Sequence, residues 1–436
     1  MSVGPAVPGA LPAAAPVSDA AFARLMAPLG PWPAPGGASP VAVAVSGGAD
    51  SLCLAFLAAR WAAARGARLL ALVVDHRLRP EASGEAEATC ARLHRLGIQA
   101  IRLELDGLSH GPGLAERARA ARYAALTTAC RAAGAVDLLI GHHAGDQAET
   151  VLMRARASSG SDGLAGMAAL VETADLRLLR PLLPIGPERL RATLAAGGIG
   201  WIEDPSNRDP RAGRTRVRSE LAGAPDRSDA LLAKRAQAAR SRQERRHGEA
   251  STLAAMTTLR PEGFAILPPA LVPAGPFGAL IRSVGGRPYR PGAGSTAALL
   301  RDPRPATLAG ARLARAGRLG PGWILLREAA SIAPPCPAEI GASWDGRFVL
   351  CGAALPSGLW IGATGAVTGA RRAALRRRSA LPWSVIETMP SLWTADRILV
   401  AVPHLLWSVP DSGLEQARFA FRPAAPATDA ALFMLD

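Results

Sequence analysis

The sequence predicts an α/β fold, a doubly wound parallel sheet with one or more smaller C-terminal domains appended to it. From Pro40 to about residue 157, short apolar strand-like runs alternate with Ala- and Leu-rich helical patterns, which is typical of βαβ units. The 436 residues also exceed the usual size of one domain. We therefore predict four parts: a flexible leader rich in Pro, Ala and Gly (1–37), the α/β domain (38–222), a helical and linker region (223–335) and a C-terminal domain (336–436).

The elements of the α/β domain follow from the apolar patterns. Strand-like runs occupy 41–45, 68–74, 98–105 and 136–141, and helical patterns occupy 50–65, 81–96, 113–133 and 146–157. A short helix is predicted around Ala20–Met26, and a helix with a charged face from about Ser228 to His247. Polar clusters begin at Ser46, Asp75 and His142, directly after three of the strands. Since parallel strands end at one edge of a sheet, these clusters predict a single site there.

The most informative cluster is the glycine turn in the segment Val-Ala-Val-Ala-Val-Ser-Gly-Gly-Ala-Asp-Ser at 41–51. Gly47 and Gly48 allow the backbone to turn sharply and to approach a ligand closely. The N–H groups of such a turn and the following helix N-terminus attract anions, and Asp50 and Ser51 lie where N-cap and first-turn side chains are expected. The turn has neither the G-x-x-x-x-G-K-S/T spacing nor the G-x-G-x-x-G spacing. It predicts a phosphate-binding loop of another type.

Composition limits the partners and the cofactors. The net charge of +15 favours a polyanionic partner, although a general bias towards arginine explains it almost equally well. The five cysteines contain no C-x-x-C pair, which excludes a disulfide framework and the usual zinc and iron–sulfur patterns. No apolar run reaches membrane-spanning length, so we expect no membrane partner and a cytoplasmic location.

The polar clusters resemble known signatures. The run 46–51 resembles the S-G-G-x-D-S loop of the N-type ATP pyrophosphatases, the PP-loop family, with a fold like that of the adenine nucleotide alpha hydrolases. Further segments are similar to motifs of the tRNA(Ile)-lysidine synthases, in the same order. They are V-D-H-x-L-R at 74–79, R-x-x-R-Y at 119–123, A-H-H-x-D-D-Q-A-E-T at 141–150, G-S-G-x-x-G-L-x-x-M up to Met167, R-P-L-L at 180–183 and D-P-S-N-R-D at 204–209.

The resemblance implies an ATP-dependent carbon–nitrogen ligase that acts on tRNA. Such an enzyme adenylates the wobble cytidine of a CAU-anticodon tRNA(Ile), and free L-lysine then displaces AMP to give lysidine, with pyrophosphate as the other product. The implied cofactors are ATP and Mg²⁺, and the implied tRNA-binding parts are 223–335 and 336–436. Another PP-loop tRNA-modifying enzyme of the thiolase type and a catalytically weak tRNA-binding homologue are the alternatives. The oligomeric state is left open, a homodimer included.

The resemblance also implies roles for individual residues. The expected catalytic residues are Asp50, Asp146, Arg119 and Arg122. The expected ATP-binding residues are Ser46, Gly47, Gly48, Ala49, Asp50, Ser51, His76 and His142, with Asp50 orienting Mg²⁺. The residues expected to face lysine or tRNA are Glu149, Arg214, Arg218, Arg376, Arg377 and Trp383.

Several of these residues have structural explanations as well. His143 could serve as a cap at the strand end, with His142 only slightly favoured over it as a ligand. Glu149 could be a first-turn helix charge, and Arg119 and Arg122 could lie on a solvated helix face. A basic patch over a Trp-containing core explains the C-terminal arginines as well as RNA binding does.

The chain departs from the signatures at three positions. Gly145 stands where the usual pair of aspartates has its first member, and Thr215 stands where Asn is usual in R-N-x-(I/V)-R. Ala157-Ser158-Ser159-Gly160 replaces R-G-S-G and removes one arginine. With these departures, the sequence leaves open whether the kinetics or the substrate differ from those of the family that it resembles.

Overall fold

The computed structural model describes residues 14–107, 111, 113–173, 175–203, 213–365, 367–428 and 431–434, and the chain separates into two units. Unit 1 comprises Met1–Glu244 together with Ala430–Asp436, and unit 2 comprises Arg245–Asp429. The elements that begin in unit 1 are α1 (Asp19–Met26), β1 (Val41–Val45), α2 (Ala49–Ala64), β2 (Leu69–Asp75), α3 (Ala82–Arg95), β3 (Gln99–Glu104), α4 (Leu114–Ala133), β4 (Asp137–Ile140), α5 (Ala144–Arg156), α6 (Ser161–Leu164), β5 (Leu170–Glu172), β6 (Arg177–Leu179), α7 (Pro187–Ala196), α8 (Gly213–Ala222) and α9 (Pro225–Met256).

The sheet of unit 1 has the order β3-β2-β1-β4-β6-β5. All neighbouring strands are parallel except β5, which pairs antiparallel with β6. The chain builds outwards from β1 to β3 and then returns to place β4 on the other side of β1. Ligands bind at such a switch point, where the loops after the two central strands separate. The predicted doubly wound α/β fold is therefore confirmed, and the loops after β1 and β4 are its binding edge.

Buried apolar surface explains why these segments form the central elements. Val41, Val43 and Val45 of β1 lie in the core beside the apolar face of α2, which includes Leu54 and Leu57. Both faces of β1 are covered, because Ala42 belongs to a second cluster with Leu residues of the neighbouring strands. A strand buried on both faces reads as a continuous apolar run, which is the pattern that the sequence shows.

The described part of the predicted leader packs against unit 1 instead of being flexible. Helix α1 begins after Ser18, whose hydroxyl accepts a hydrogen bond from the Ala21 N–H. Phe22, Met26 and Leu29 are at most 1% exposed and belong to the main core. The Pro and Ala content predicted a loose segment, but three large apolar side chains at helical spacing provide enough buried surface to fix it.

Unit 2 contains three antiparallel sheets, with the orders β7-β8-β11-β10-β9, β12-β15-β16-β17-β18 and β13-β14-β19 in its described residues. Its elements are β7 (Thr258–Arg260), β8 (Phe264–Leu267), α10 (Ala274–Val284), α11 (Ala293–Arg301), β9 (Ala306–Leu308), β10 (Ala311–Arg315), β11 (Trp323–Arg327), β12 (Cys336–Pro337), β13 (Ser343–Trp344), β14 (Phe348–Cys351), β15 (Leu359–Ala363), α12 (Gly369–Arg378), α13 (Trp383–Ile386), β16 (Pro390–Thr394), β17 (Leu399–Val402), β18 (Trp407–Ser408) and β19 (Arg418–Phe421).

The division between the units differs from the predicted boundaries at 222/223 and 335/336. It falls at Glu244/Arg245, inside α9. The sequence did not indicate this boundary, because the helical pattern continues without a break where the packing changes. The segment 431–434 belongs to unit 1: Leu432 bridges antiparallel to Leu170 of β5, and Phe433 is buried. The Arg242 guanidinium lies 4.5 Å from the centre of the Phe433 ring. In the described residues, no helix combines the length and the apolar character needed to cross a membrane.

Ser158, just after α5, has a φ of 52°, in the left-handed region that disfavours side chains. We expect Ser158→Gly to raise the free energy of unfolding by about 0.5–1 kcal/mol, because glycine removes this strain at a modest cost in unfolded-state entropy. Urea unfolding measures the change. The control is Ala157→Gly, where φ is −80° and only the entropy cost applies. Equal effects of the two substitutions would contradict the assignment of strain to Ser158.

Candidate active site

The glycine turn after β1 is held by its own side chains. The Ser51 hydroxyl accepts a hydrogen bond from the Ser46 N–H and donates one to the Gly48 carbonyl, both at 3.1 Å. Gly47 has a φ of 87°, and a Cβ there would lie 2.5 Å from the Thr89 hydroxyl of α3, so no other residue fits. The N-cap of α2 is Gly48, without a side-chain cap. Asp50 and Ser51 both lie in the first turn, and the N-terminal N–H groups of α2 face an incoming anion.

The corner between β4 and α5 lies against this turn. His143 is the N-cap of α5: its Nδ1 accepts from the Gly145 N–H, and Asp146 accepts from the His143 N–H, both at 3.0 Å. Its Nε2 lies 3.5 Å from the Asp50 carboxylate. Burial lowers the pKa of His143, but the hydrogen bond that it donates to Asp50 and the charges of Asp146 and Asp50 raise it more, so the net shift is upward. The sequence slightly favoured His142, yet His143 is the residue that meets the phosphate loop.

His142 faces a different neighbour. Its Nδ1 lies 3.2 Å from the Nε of Arg180, which follows β6. Burial lowers the pKa of His142 to about 4; the nearby guanidinium of Arg180 adds to this effect, and Asp146 opposes it. The imidazole is therefore neutral at physiological pH, and its Nδ1 accepts a hydrogen bond from the Arg180 Nε–H.

This shift predicts a pH dependence of stability. The unfolded chain takes up a proton at His142 near pH 6.5, whereas the folded chain resists it until about pH 4, so this stabilisation is complete above pH 6.5 and is lost as the pH falls. We expect His142→Gln to flatten the decline of the unfolding free energy between pH 6.5 and 4, by up to about 1.4 kcal/mol per pH unit. Urea unfolding at a series of pH values measures it. The exposed His94→Gln serves as control, and a slope unchanged by His142→Gln would contradict the prediction.

Two predicted carboxylates are paired with two predicted arginines. Arg214 contacts Glu149 at 2.7 Å and Asp146 at 2.9 Å, and Arg218 contacts Glu149 at 2.6 Å. Glu149 is 2% exposed, whereas both arginine side chains are more than two-fifths exposed. The expectation that the carboxylates face lysine and the arginines face tRNA thus meets a structure in which each group holds the other. Arg216, on the same helix α8, is exposed.

A cluster of basic side chains forms around α4. Arg122 is half-buried, its Nε has no hydrogen-bond partner, and burial lowers its pKa, as do the nearby charges of Arg119. Burial and the charge of Arg122 also lower the pKa of His76, whose Nδ1 is without a partner. The exposed Arg119 stacks on Tyr123, 5.0 Å from its ring centre. Partially desolvated guanidinium groups with unused donors favour an anionic ligand.

Asp75, at the end of β2, is a residue whose role sequence reasoning missed. Its carboxylate is 1% exposed and accepts hydrogen bonds from the Arg77 N–H at 3.0 Å, Ser83 at 2.7 Å and Arg102 at 2.8 Å. Burial raises the pKa of Asp75, but these donors lower it more. Asp75 therefore fixes the turn that carries His76. The Val-Asp-His pattern contained this signal, since a carboxylate beside a turn accepts N–H groups two residues on.

A cavity of about 800 Å³ opens beside the phosphate loop. The predicted residues that line it are Gly48, Ala49, Asp50, Glu149 and Arg218, whereas Ser46, His76, His142, Arg119 and Arg122 do not. The unpredicted lining residues include His143, Glu188, Arg191, Trp201 and Glu203. Among all the residues that line the cavity, carboxylates outnumber arginines. The cavity is therefore suited to a cationic ligand beside the anion-binding turn.

The residues present are compatible with Mg²⁺ brought in with a nucleotide. In the described residues, no group of three or more His, Cys, Asp or Glu side chains could hold a metal by itself. Mg²⁺ usually takes one or two carboxylates and completes its shell with phosphate and water. Asp50 offers such a carboxylate, 37% exposed, in the first turn of α2.

The predicted RNA-facing residues of unit 2 lie on and beside α12. Arg376 and Arg377 are exposed, and Trp383 is half-buried. The guanidinium of Arg372 lies 4.5 Å from the centre of the Trp383 ring, and that of Arg376 lies 5.9 Å away. Arginines therefore cover the indole face that RNA stacking would need, and the exposed arginines are the groups available to phosphate. The predicted segment 204–209 lies outside the described residues.

The chain is similar to several known proteins. Residues 19–224 match the family model described as a PP-loop domain. A tRNA(Ile)-lysidine synthase of Bradyrhizobium sp. is 44% identical over 51% of this chain and 63% of its own length. The chain thus spans less than two thirds of that relative. A tRNA(Ile)-lysidine synthase of Ruegeria pomeroyi is 34% identical over 83% of this chain and 87% of its own length. The solved structure of the U34-tRNA thiolase NcsA from Methanococcus maripaludis is 16% identical, with a TM-score of 0.40 over 50% of this chain and 76% of that one.

Proposed function

We infer the function from the premise that this chain belongs to the tRNA(Ile)-lysidine synthase family, as its match to the Ruegeria relative over most of both chains shows. We propose that it joins free L-lysine to C2 of the wobble cytidine in a tRNA(Ile) with a CAU anticodon. ATP supplies the energy and is cleaved to AMP and pyrophosphate. The proposal includes Mg²⁺ bound with ATP and a cytoplasmic location, where tRNA, ATP and lysine occur together.

The observation that carries the proposal is that an anion-binding loop and the carboxylates of α5 lie together at one edge of the sheet. The phosphate loop and Asp50 meet His143 of the β4–α5 corner, and Asp146 and Glu149 follow in the first and second turns of α5. The charges of Arg119 and Arg122 act on His142 and His76, which follow β4 and β2 at the same edge. Such a site suits a reaction in which a polyphosphate and an ammonium group approach the same base.

The first step is adenylation of the base. The cytosine O2 attacks the α-phosphorus of ATP, the bond to the bridging oxygen breaks, and pyrophosphate leaves. The N–H groups of Gly48 and Ala49 and the α2 N-terminus stabilise the leaving pyrophosphate, and the positive charge of Arg122 attracts the α-phosphate. Mg²⁺, when bound, neutralises phosphate charge beside Asp50.

The second step forms the carbon–nitrogen bond. The ε-nitrogen of lysine attacks C2, the C2–O bond breaks, and AMP leaves with that oxygen. The lysine ammonium must give up a proton to water before it attacks, and our proposal gives Asp146 and Glu149 the role of orienting it. Because Arg214 and Arg218 occupy both carboxylates in this structure, lysine must compete with guanidinium groups or displace them.

tRNA binding is proposed for the exposed arginines outside the catalytic edge. Arg376 and Arg377 lie in the sequence Arg-Arg-Ala-Ala-Leu-Arg-Arg-Arg of α12, which carries no acidic residue. A net charge of +15 supports the same partner. Phosphate contacts of this kind position an RNA without reading its sequence.

The test is incubation of the full chain with labelled lysine, ATP and tRNA transcripts. We expect lysine incorporation only into the CAU-anticodon tRNA(Ile), with release of one AMP and one pyrophosphate per lysine. Tight tRNA binding without incorporation would favour a catalytically weak binding protein. Pyrophosphate release with sulfur transfer in place of lysine transfer would favour a thiolase, and either outcome would contradict the proposal.

A further inference from the structure

The imidazole of His143 is placed between two carboxylates from different elements. Its Nε2 lies 3.5 Å from the Oδ2 of Asp50 on α2 and 3.6 Å from the Oδ2 of Asp146 on α5. The residue is 6% exposed, so its ring is held by protein groups. Its side chain joins the β4–α5 corner to Asp50 in the first turn of α2.

The hydrogen bond at the other ring nitrogen determines what Nε2 does. Nδ1 accepts the Gly145 N–H at 3.0 Å, so in the neutral ring the proton lies on Nε2 and faces the two carboxylates. The ring thus caps helix α5 with one nitrogen and presents an N–H donor to Asp50 and Asp146 with the other.

Gly145 is what makes room for this ring position. A Cβ at residue 145 would lie 2.8 Å from Cε1 and 3.1 Å from Nδ1 of His143, closer than real side chains approach. The backbone itself does not require glycine, because Gly145 lies inside α5 without a positive φ. In this chain, the His143 ring is therefore the group that a side chain at 145 would disturb.

We propose that Gly145 and His143 act as a positioning pair: the absence of a side chain at 145 lets His143 hold the Asp50 carboxylate in register with α5 for the adenylation step. The inference rests on the proposed function. It adds a role for Gly145, a position at which this chain departs from the signature. A side chain at 145 displaces the ring and releases Asp50, without removing any charged group from the site.

The first experiment compares Gly145→Ala with Gly84→Ala in the full chain. Gly84 lies in the first turn of α3, is exposed and has nothing within 4 Å of an added Cβ, so it is a matched control. We expect Gly145→Ala to lower kcat for tRNA-dependent pyrophosphate release about 10-fold or more, with KM for ATP changed much less, and Gly84→Ala to leave both unchanged. Wild-type kinetics of Gly145→Ala would overturn the inference.

The second experiment separates positioning from capping. Glutamine at 143 reproduces the Nε2 donor, whereas asparagine reproduces only the Nδ1 acceptor and is the better helix cap. We expect His143→Gln to retain more pyrophosphate release than His143→Asn. The opposite order would show that His143 only caps the helix and would overturn the inference.

A spectroscopic readout does not depend on activity. In the chain labelled with ¹⁵N-histidine, the His143 signal is assigned by its loss in His143→Gln. We expect the Nε2–H tautomer in the wild type and in Gly84→Ala, and a changed ring signal in Gly145→Ala. An unchanged signal would overturn the inference even if lysine were not incorporated, whereas absent lysine incorporation with the expected signals would contradict the proposed function alone.

Discussion

Asp50→Asn should lower tRNA-dependent pyrophosphate release from ATP about 10²- to 10³-fold, the range lost when one preorganised electrostatic contact at a reacting group is removed. Asp50 is the carboxylate in the first turn of α2 and lines the cavity beside the phosphate loop. Asparagine keeps its shape but not its charge, so the Mg²⁺ that we propose to bind with ATP loses a charged ligand. Quench-flow measurement of pyrophosphate gives the rate, and filter binding gives the tRNA affinity, which we expect to be unchanged.

The matched control for this substitution is Asp19→Asn. Asp19 lies at the start of α1 and pairs with Arg60, with both side chains more than half exposed. We expect wild-type pyrophosphate release from it, since a surface ion pair contributes little. Full activity of Asp50→Asn would exclude its proposed role, and loss of tRNA binding would indicate a folding defect instead.

Glu149→Gln should lower lysine incorporation at least 10-fold while reducing pyrophosphate release much less, because we propose that the carboxylate orients the ammonium of the second substrate. It should also lower the free energy of unfolding by about 2 kcal/mol, since Arg214 and Arg218 lose charge-assisted hydrogen bonds to a buried acceptor. Both arginines are partly exposed and can turn to water, which limits the loss. Lysine KM, pyrophosphate release and urea unfolding are the three measurements.

Glu220→Gln provides the comparison for Glu149→Gln. Glu220 also pairs with two arginines, Arg156 and Arg227, but it lies on α8 outside the cavity lining. We expect it to change stability slightly and lysine KM not at all. A wild-type lysine KM in Glu149→Gln would contradict the proposed role of Glu149 in binding lysine. Its remaining role would be to hold α8 against α5 through Arg214 and Arg218.

The central elements of unit 1 could be predicted because their sequence patterns and their burial agree. The run Val41–Val45 is apolar on both faces and is covered on both faces, and the predicted helix 113–133 is observed as Leu114–Ala133. The phosphate loop could be predicted as well, since Gly47 occupies a backbone conformation that other residues avoid. Local chemistry determines such features.

Features that depend on distant partners could not be predicted. Nothing local distinguishes His142 from His143, and the choice follows from Arg180 lying near one and Asp50 near the other. The pairing of Glu149 with Arg214 joins residues 65 positions apart. The burial of Phe22 likewise depends on a core assembled from later segments, which a Pro- and Ala-rich composition conceals.

The segment 431–434 has a consequence for the order of folding during synthesis. The ribosome makes it after the whole of unit 2, yet Leu432 completes the edge beside β5, and the Phe433 carbonyl accepts a hydrogen bond from Arg235. In a nascent chain, the edge of β5 is therefore open and the Arg235 guanidinium lacks that acceptor until translation has passed residue 434. The fold of unit 1 is therefore completed only after unit 2 has been synthesised, although most of the unit 1 sequence is translated first.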